Sequence, residues 1–303
     1  MGRGSGDLRP AGLVVIYDWL AEPFVAFSFM RRALVGCLAL SLGAAPVGVF
    51  LLLRRMSLTG DAMAHAILPG AAIGFLVAGL SLPAMTVGGL IAGLIVALAA
   101  GAVARVTVLR EDASLAAFYL ISLASGVLIV SMHGSNVDLL HVLFGTVLAL
   151  DDAAIQLIAG IASLSVLALA VIYRALVLEC LDPQFLRCVS RLSSPVHFVF
   201  LLLLVLNLVA GFHALGTLMA VGLMILPAAA ARLWARGVTG MIAVAAVVAA
   251  ACSVTGLLLS YHFSVASGPT IILTAGLVYL LSILVGPIGS VLAGLRPRRH
   301  LEG

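Results

Sequence analysis

The chain has 303 residues, of which 63% are hydrophobic and only 9% charged. With a mean hydropathy of +1.27, it reads as an integral membrane protein throughout, with no stretch polar enough for a separate soluble domain. All sixteen basic residues are arginine; without lysine there is no P-loop, no Schiff base and no lysine nucleophile. The net charge of +4 does not indicate nucleic acid, because the arginines stand at the ends of apolar runs rather than on one face.

The N-terminal apolar run from Ala11 to Met30 is interrupted by Asp18, Glu22 and Pro23. That pattern is not expected of a cleavable signal, and residues 1–32 are read as an interfacial segment. A transmembrane domain is expected over 33–289, with a cytoplasmic tail at 290–303. At about 20 apolar residues per span, the candidates are Ala33–Leu53, Ala62–Leu80, Ala84–Ala104, Ser114–Met132, Ala153–Tyr173, Val196–Phe212, Leu215–Ala231, Gly240–Ser260 and Pro269–Gly289. The total is nine, or eight if the tightly joined pair around Phe212 to Gly216 is one element.

Arginine bias sets the orientation. Arg54, Arg55, Arg105, Arg110, Arg174, Arg187, Arg191, Arg232, Arg236, Arg296, Arg298 and Arg299 fall on one side, which is therefore cytoplasmic. Arg31 and Arg32 are the exception. The opposite loops hold Asp138, Asp151 and Asp152 with no arginine, and His133, His141, His213 and His262 lie at or near that surface. Such an acidic mouth favours cation entry, although polar loops alone produce the same composition. Cys37, Cys180, Cys188 and Cys252 show no C-x-x-C spacing and are expected to be free thiols.

Within SLTGDAMAHAILPGAAIG (57–74), Asp61 and His65 stand one helical turn apart. An ionisable group near mid-bilayer costs about 2.5–3.5 kcal/mol and is by default a functional hypothesis. Carboxylate and imidazole at i, i+4 share a helix face and together can hold a divalent cation. Pro69 removes a donor and leaves the His65 carbonyl without its usual partner, as in broken helices lining transport paths. Pro227 has the same effect in a later span. The plain alternative is a kinked helix in which Asp61 caps the end or pairs with Arg54 or Arg55. No further carboxylate is expected inside a span.

Between Arg174 and Ser194 a cytoplasmic loop is expected, with Asp182 as helix N-cap and Pro183 at the first helical position. Phe185, Val189 and Leu192 follow at near-helical spacing, so a short amphipathic helix is expected, for which a position at the lipid interface is the plain reading. The segment from Asp138 to Leu150 is too short to span and is read as re-entrant. Gly70 with Gly74, and Gly89 with Gly93, suit close helix packing, and Asn207 suits an interhelical hydrogen bond.

The stretch RRMSLTGDAMAHAILPG (54–70) resembles the permease subunits of metal-ion ABC importers of the zinc/manganese/iron type. VDLLHVLFGTVLAL (137–150), DPQF (182–185), GTLMAVGLMILPAAAARL (216–233) and LLLSYHFSVASGPTIIL (257–273) extend the likeness in family order. The resemblance implies an all-α transmembrane bundle of eight or nine spans, similar to type II ABC-importer permeases, in the bacterial inner membrane. It implies a second permease copy, with a homodimer expected, and a separate ABC ATP-binding subunit docked at the loop helix through Asp182, Pro183 and Phe185. It also implies a periplasmic or surface metal-binding protein that delivers the cargo. The family's metal-path Asp and His fall on Asp61 and His65. The run LRCVSRLSS departs from the small residue and glycine common in the family after the loop motif, which bears on docking register. The expected function is metal import without enzymatic activity in this chain, the metal being substrate and no cofactor being needed. Zinc is favoured over manganese or iron on the histidine-bearing outer face. The rivals are a proton-coupled secondary metal transporter and an intramembrane metalloenzyme; the latter lacks an H-E-x-x-H-like set.

Overall fold

The computed structural model describes residues 19–79, 81–108, 111–132, 150–181 and 193–292, and all regular structure among them is helical. A short helix α1 (Glu22–Ala26) leads into α2 (Ser28–Leu53). The second span is broken in two, α3 (Ser57–Ala66) and α4 (Leu68–Ala78). Then follow α5 (Leu82–Val106), α6 (Glu111–Met132), α7 (Asp152–Leu181) and α8 (Ser193–Leu215). The chain ends in α9 (Thr217–Arg232), α10 (Val238–Phe263) and α11 (Ser267–Val285).

Seven helical segments, α3 and α4 counted together, are long and apolar enough to cross a membrane. Two shorter apolar stretches, Ala113–Ile129 and Met219–Arg232, stand where the fourth and seventh spans were expected. The joint between α8 and α9 is a single glycine, Gly216, at φ 82°. A backbone in that region suits a residue without a Cβ, so two helices meet there with no loop.

Helix α2 is the hub, packed against α7, α8, α9 and α10. Lipid tails are as apolar as leucine, so close packing and interhelical hydrogen bonds hold such a bundle together. Small residues on α2 supply the closeness: Gly43 lies against Ala162 and Asn207, and Gly48 against the Met224 backbone. Asn207 donates to Ser165 Oγ at 2.7 Å and to the Leu203 carbonyl at 2.8 Å, and Ser41 Oγ lies 3.3 Å from Ser253 Oγ. Asn207 thus makes the interhelical bond expected of it. Gly70 and Gly88 bring α4 and α5 into backbone contact, and Gly74 meets Ala84.

Four helix ends depart most from expectation. Helix α2 begins at Ser28, ahead of Ala33, and α3 begins at Ser57, ahead of Ala62. Helix α7 runs past Tyr173 to Leu181, and α8 starts at Ser193, so both edges of the expected loop over 174–194 are helical. The cause is local: RALVLEC contains no helix breaker, and an apolar window cannot detect where a helix leaves the membrane. Arg32, the outer-face exception, is accounted for by an ion pair to Asp152 at 3.0 Å, which joins the starts of α2 and α7. Cys37, Cys180 and Cys252 are free thiols, as expected.

Candidate functional site

The site begins at the turn that delivers α3. The Met56 N–H reaches the Leu51 carbonyl at 2.9 Å and the Arg55 N–H reaches Leu52 at 3.1 Å, the bond pattern of a Schellman helix stop. That stop needs a left-handed residue, normally glycine; here it is Arg55, at φ 59°. The chain reverses within three residues and α3 begins. Its neighbour Arg54 is drawn into the protein, paired with Glu179.

Helix α3 is covered on most sides by α5, α6, α8 and α9. Thr59, Gly60, Ala62, Met63, Ala64 and Ala66 are buried. One stripe is not: Leu58 is 86% exposed, Asp61 is exposed, and His65, Leu68 and Ala72 are half-buried. These positions recur every three to four residues, the spacing of one helix face. Both ionisable residues of the segment lie on that face.

Asp61 Oδ1 stands 3.9 Å from His65 Nε2. Two metal bonds of about 2.1 Å end to end exceed that separation, so a single ion can touch both atoms. His65 Nδ1 is buried and has no hydrogen-bond partner among the described residues. The imidazole Nε2, on the Asp61 side, is the ring nitrogen placed to accept an ion. The alternative pairing of Asp61 with an arginine is not what the structure shows: Arg54 turns to Glu179 and His197, and Asp61's ion-pair contact is His65. Among the described residues no three His, Cys, Asp or Glu side chains gather into a closed metal cage.

Below the pair the helix breaks. Pro69 lies in the first turn of α4, and the neighbouring Ala66 carbonyl, at the end of α3, accepts a hydrogen bond from Ser122 Oγ of α6 at 3.0 Å. Tyr119 lies with its ring centroid 6.3 Å from that of His65, and Gly126 fits against Pro69. Tyr119, Ser122 and Gly126 share a helix face at i, i+3, i+7. Sequence reading passed over these three; once α6 is set against the Pro69 break, that spacing is the signal that finds them.

Glu179 was also missed. Its side chain is 11% exposed and Arg54's is 7%, so a largely covered carboxylate lies in α7 beyond the expected span Ala153–Tyr173, where a loop was expected. The overlooked signal was an acid in an unbroken helix-forming run. The guanidinium lies 3.2 Å from His197 Nδ1 and 4.6 Å from the centre of the Phe200 ring. His197 is likewise 4.0 Å from Glu179 Oε1.

On the outer face the described part of the acidic mouth has structural partners. Asp151 Oδ1 accepts the Ala154 N–H at 2.8 Å as a helix cap, and Asp152 holds Arg32. His262 stacks on Trp19 with centroids 4.0 Å apart, and its Nε2 lies 3.0 Å from the Trp19 carbonyl. His133, Asp138 and His141 lie outside the described residues, as do Asp182, Pro183, Phe185 and Cys188.

Comparison with known proteins places this geometry. Residues 26–286 match the family model described as the ABC 3 transport family. The manganese import system permease protein ScaB of Streptococcus gordonii is 32% identical over 261 residues, covering 86% of this chain and 92% of that one. The chelated iron transport system membrane protein YfeD of Yersinia pestis is 28% identical, with 90% and 91% covered. Among solved structures, PsaBC from Streptococcus pneumoniae in complex with Fab superposes with a TM-score of 0.82 at 30% identity, covering 92% of this chain and 99% of the other. As the resemblance to metal-ion importer permeases implied, the chain belongs to the ABC 3 transport family and is a multi-pass helical permease of the bacterial plasma membrane.

Proposed function

We propose that this permease carries a divalent transition metal through the membrane past Asp61 and His65, driven by ATP hydrolysis on a separate subunit. One observation carries the reading. Among the described residues, an acid and an imidazole lie on the uncovered stripe of α3 with no arginine neutralising the acid, an arrangement unfavourable against lipid and suited to a cation. Two donors per chain leave coordination positions open, so the ion is held loosely enough to be released. A second copy facing the same stripe would double the donor set. Movement of the segment bearing Asp182, Pro183 and Phe185, driven by the ATP-binding subunit, would switch access between the two faces. A metal-binding protein outside would load the site.

Manganese is favoured as cargo over zinc. The lean to zinc rested on outer-face histidines, and His262 is engaged with Trp19. A carboxylate in the pair suits manganese, and relatives are named for manganese import. The His65 imidazole, which suits zinc, is the observation on the other side. Proton-coupled transport would need a relay carboxylate, and among the described residues the largely covered candidate, Glu179, is engaged with Arg54.

The discriminating experiment is manganese uptake into proteoliposomes holding the permease with its ATP-binding subunit. Uptake that requires ATP and ignores an imposed pH gradient is expected. Uptake that follows the gradient with no ATP would overturn the reading.

A further inference from the structure

The charged cluster of Arg54, Glu179 and His197 shares no side chain with the Asp61–His65 pair. Its position in the chain is informative. Glu179 is two residues before the end of α7, and His197 is in the first turns of α8. The sequence between those ends, 182–192, is the segment through which the ATP-binding subunit is proposed to act. Arg54 is the C-cap of α2, immediately before the left-handed Arg55 and the start of α3. One guanidinium therefore touches both roots of that segment and the turn that aims the Asp61–His65 helix.

Burial makes this contact stiff. Breaking a buried ion pair from one side leaves an uncompensated charge and is strongly unfavourable. The Phe200 ring beneath the guanidinium adds a cation–π contact. Left-handed strain at a non-glycine residue persists only where surrounding structure imposes it, and the Schellman bonds from Arg55 and Met56 back to α2 hold that turn directly beside Arg54. The three helix ends thus move together or the cluster must break.

We infer that Arg54 and Glu179 are positioning residues that fix α3 to both ends flanking residues 182–192, so that movement there is passed to the helix carrying Asp61 and His65. This rests on the metal-permease reading for its role in transport, while the mechanical link stands by itself.

The test uses Glu179→Gln, Arg54→Gln and the double variant. In the purified permease in nanodiscs, amide hydrogen exchange over residues 54–61 should rise in the double variant and stay unchanged in Asn207→Ala, a buried polar change elsewhere. Unchanged exchange in the double variant overturns the link. In proteoliposomes with the ATP-binding subunit, manganese taken up per ATP hydrolysed should fall roughly ten-fold, within the usual range for coupling between sites, and no further in the double variant than in either single one. Should the single variants fail to fold, the double variant, which removes both charges of the Arg54–Glu179 pair, decides: wild-type uptake per ATP overturns the inference, and lost uptake with ATP hydrolysis retained supports it. If the wild type shows no ATP-dependent uptake, the transport reading fails and the exchange result still decides the link.

Discussion

Ser122 Oγ lies 3.0 Å from the Ala66 carbonyl and donates to it, bridging from a neighbouring helix to the end of α3 beside the gap that Pro69 leaves at the His65 carbonyl. His65 is one residue above that carbonyl, so its placement depends on α6 as well as on its own helix. Ser122→Ala should lower stability by about 1 kcal/mol, the scale of interhelical hydrogen bonds in membranes. Thermal unfolding of the purified permease measures it, with Ser163→Ala as control, since Ser163 bonds only within its own exposed helix turn. Equal losses in both variants would show that the gap carries no special weight.

Gly70→Ala places a methyl group against the Gly88 carbonyl, where α4 and α5 touch backbone to backbone. Overpacking of this kind costs about 1–3 kcal/mol. Gly101→Ala, on α5 with nothing near its added carbon, should be neutral or slightly stabilising. Yield of folded protein by size-exclusion chromatography separates the two.

Arg55→Gly should stabilise the turn into α3 by up to about 1 kcal/mol, because glycine adopts the left-handed conformation without Cβ strain. The side chain is exposed, so little packing is lost. A drop in melting temperature would mean that the Arg55 side chain makes contacts outweighing its strain.

The helical class, the span order and the i, i+4 partnership of Asp61 and His65 were readable because each follows from local pattern: apolar length, arginine bias, one helical turn. The ion pairs were not. Arg32 with Asp152 and Arg54 with Glu179 join residues more than a hundred positions apart in the chain, and no periodicity links them. Charge bias correctly put Arg54 at the cytoplasmic end but gave no sign that it is buried. Composition also gave no sign of the structural work done on the outer face, where Asp151 caps a helix and Asp152 joins two helices through an ion pair. The Ser122 contact was invisible because it depends on which helix faces the proline break.

The most direct measurement is the rate of radiolabelled manganese uptake by cells carrying the complete importer with His65→Ala, Asp61→Asn or the wild-type permease, at matched membrane abundance. Loss of a side chain that meets the ion should lower uptake at least about ten-fold, since even partners behind a metal ligand have effects of that size. Gly101→Ala should transport like the wild type. Wild-type uptake in both His65→Ala and Asp61→Asn would contradict the assignment of this pair to the metal's path.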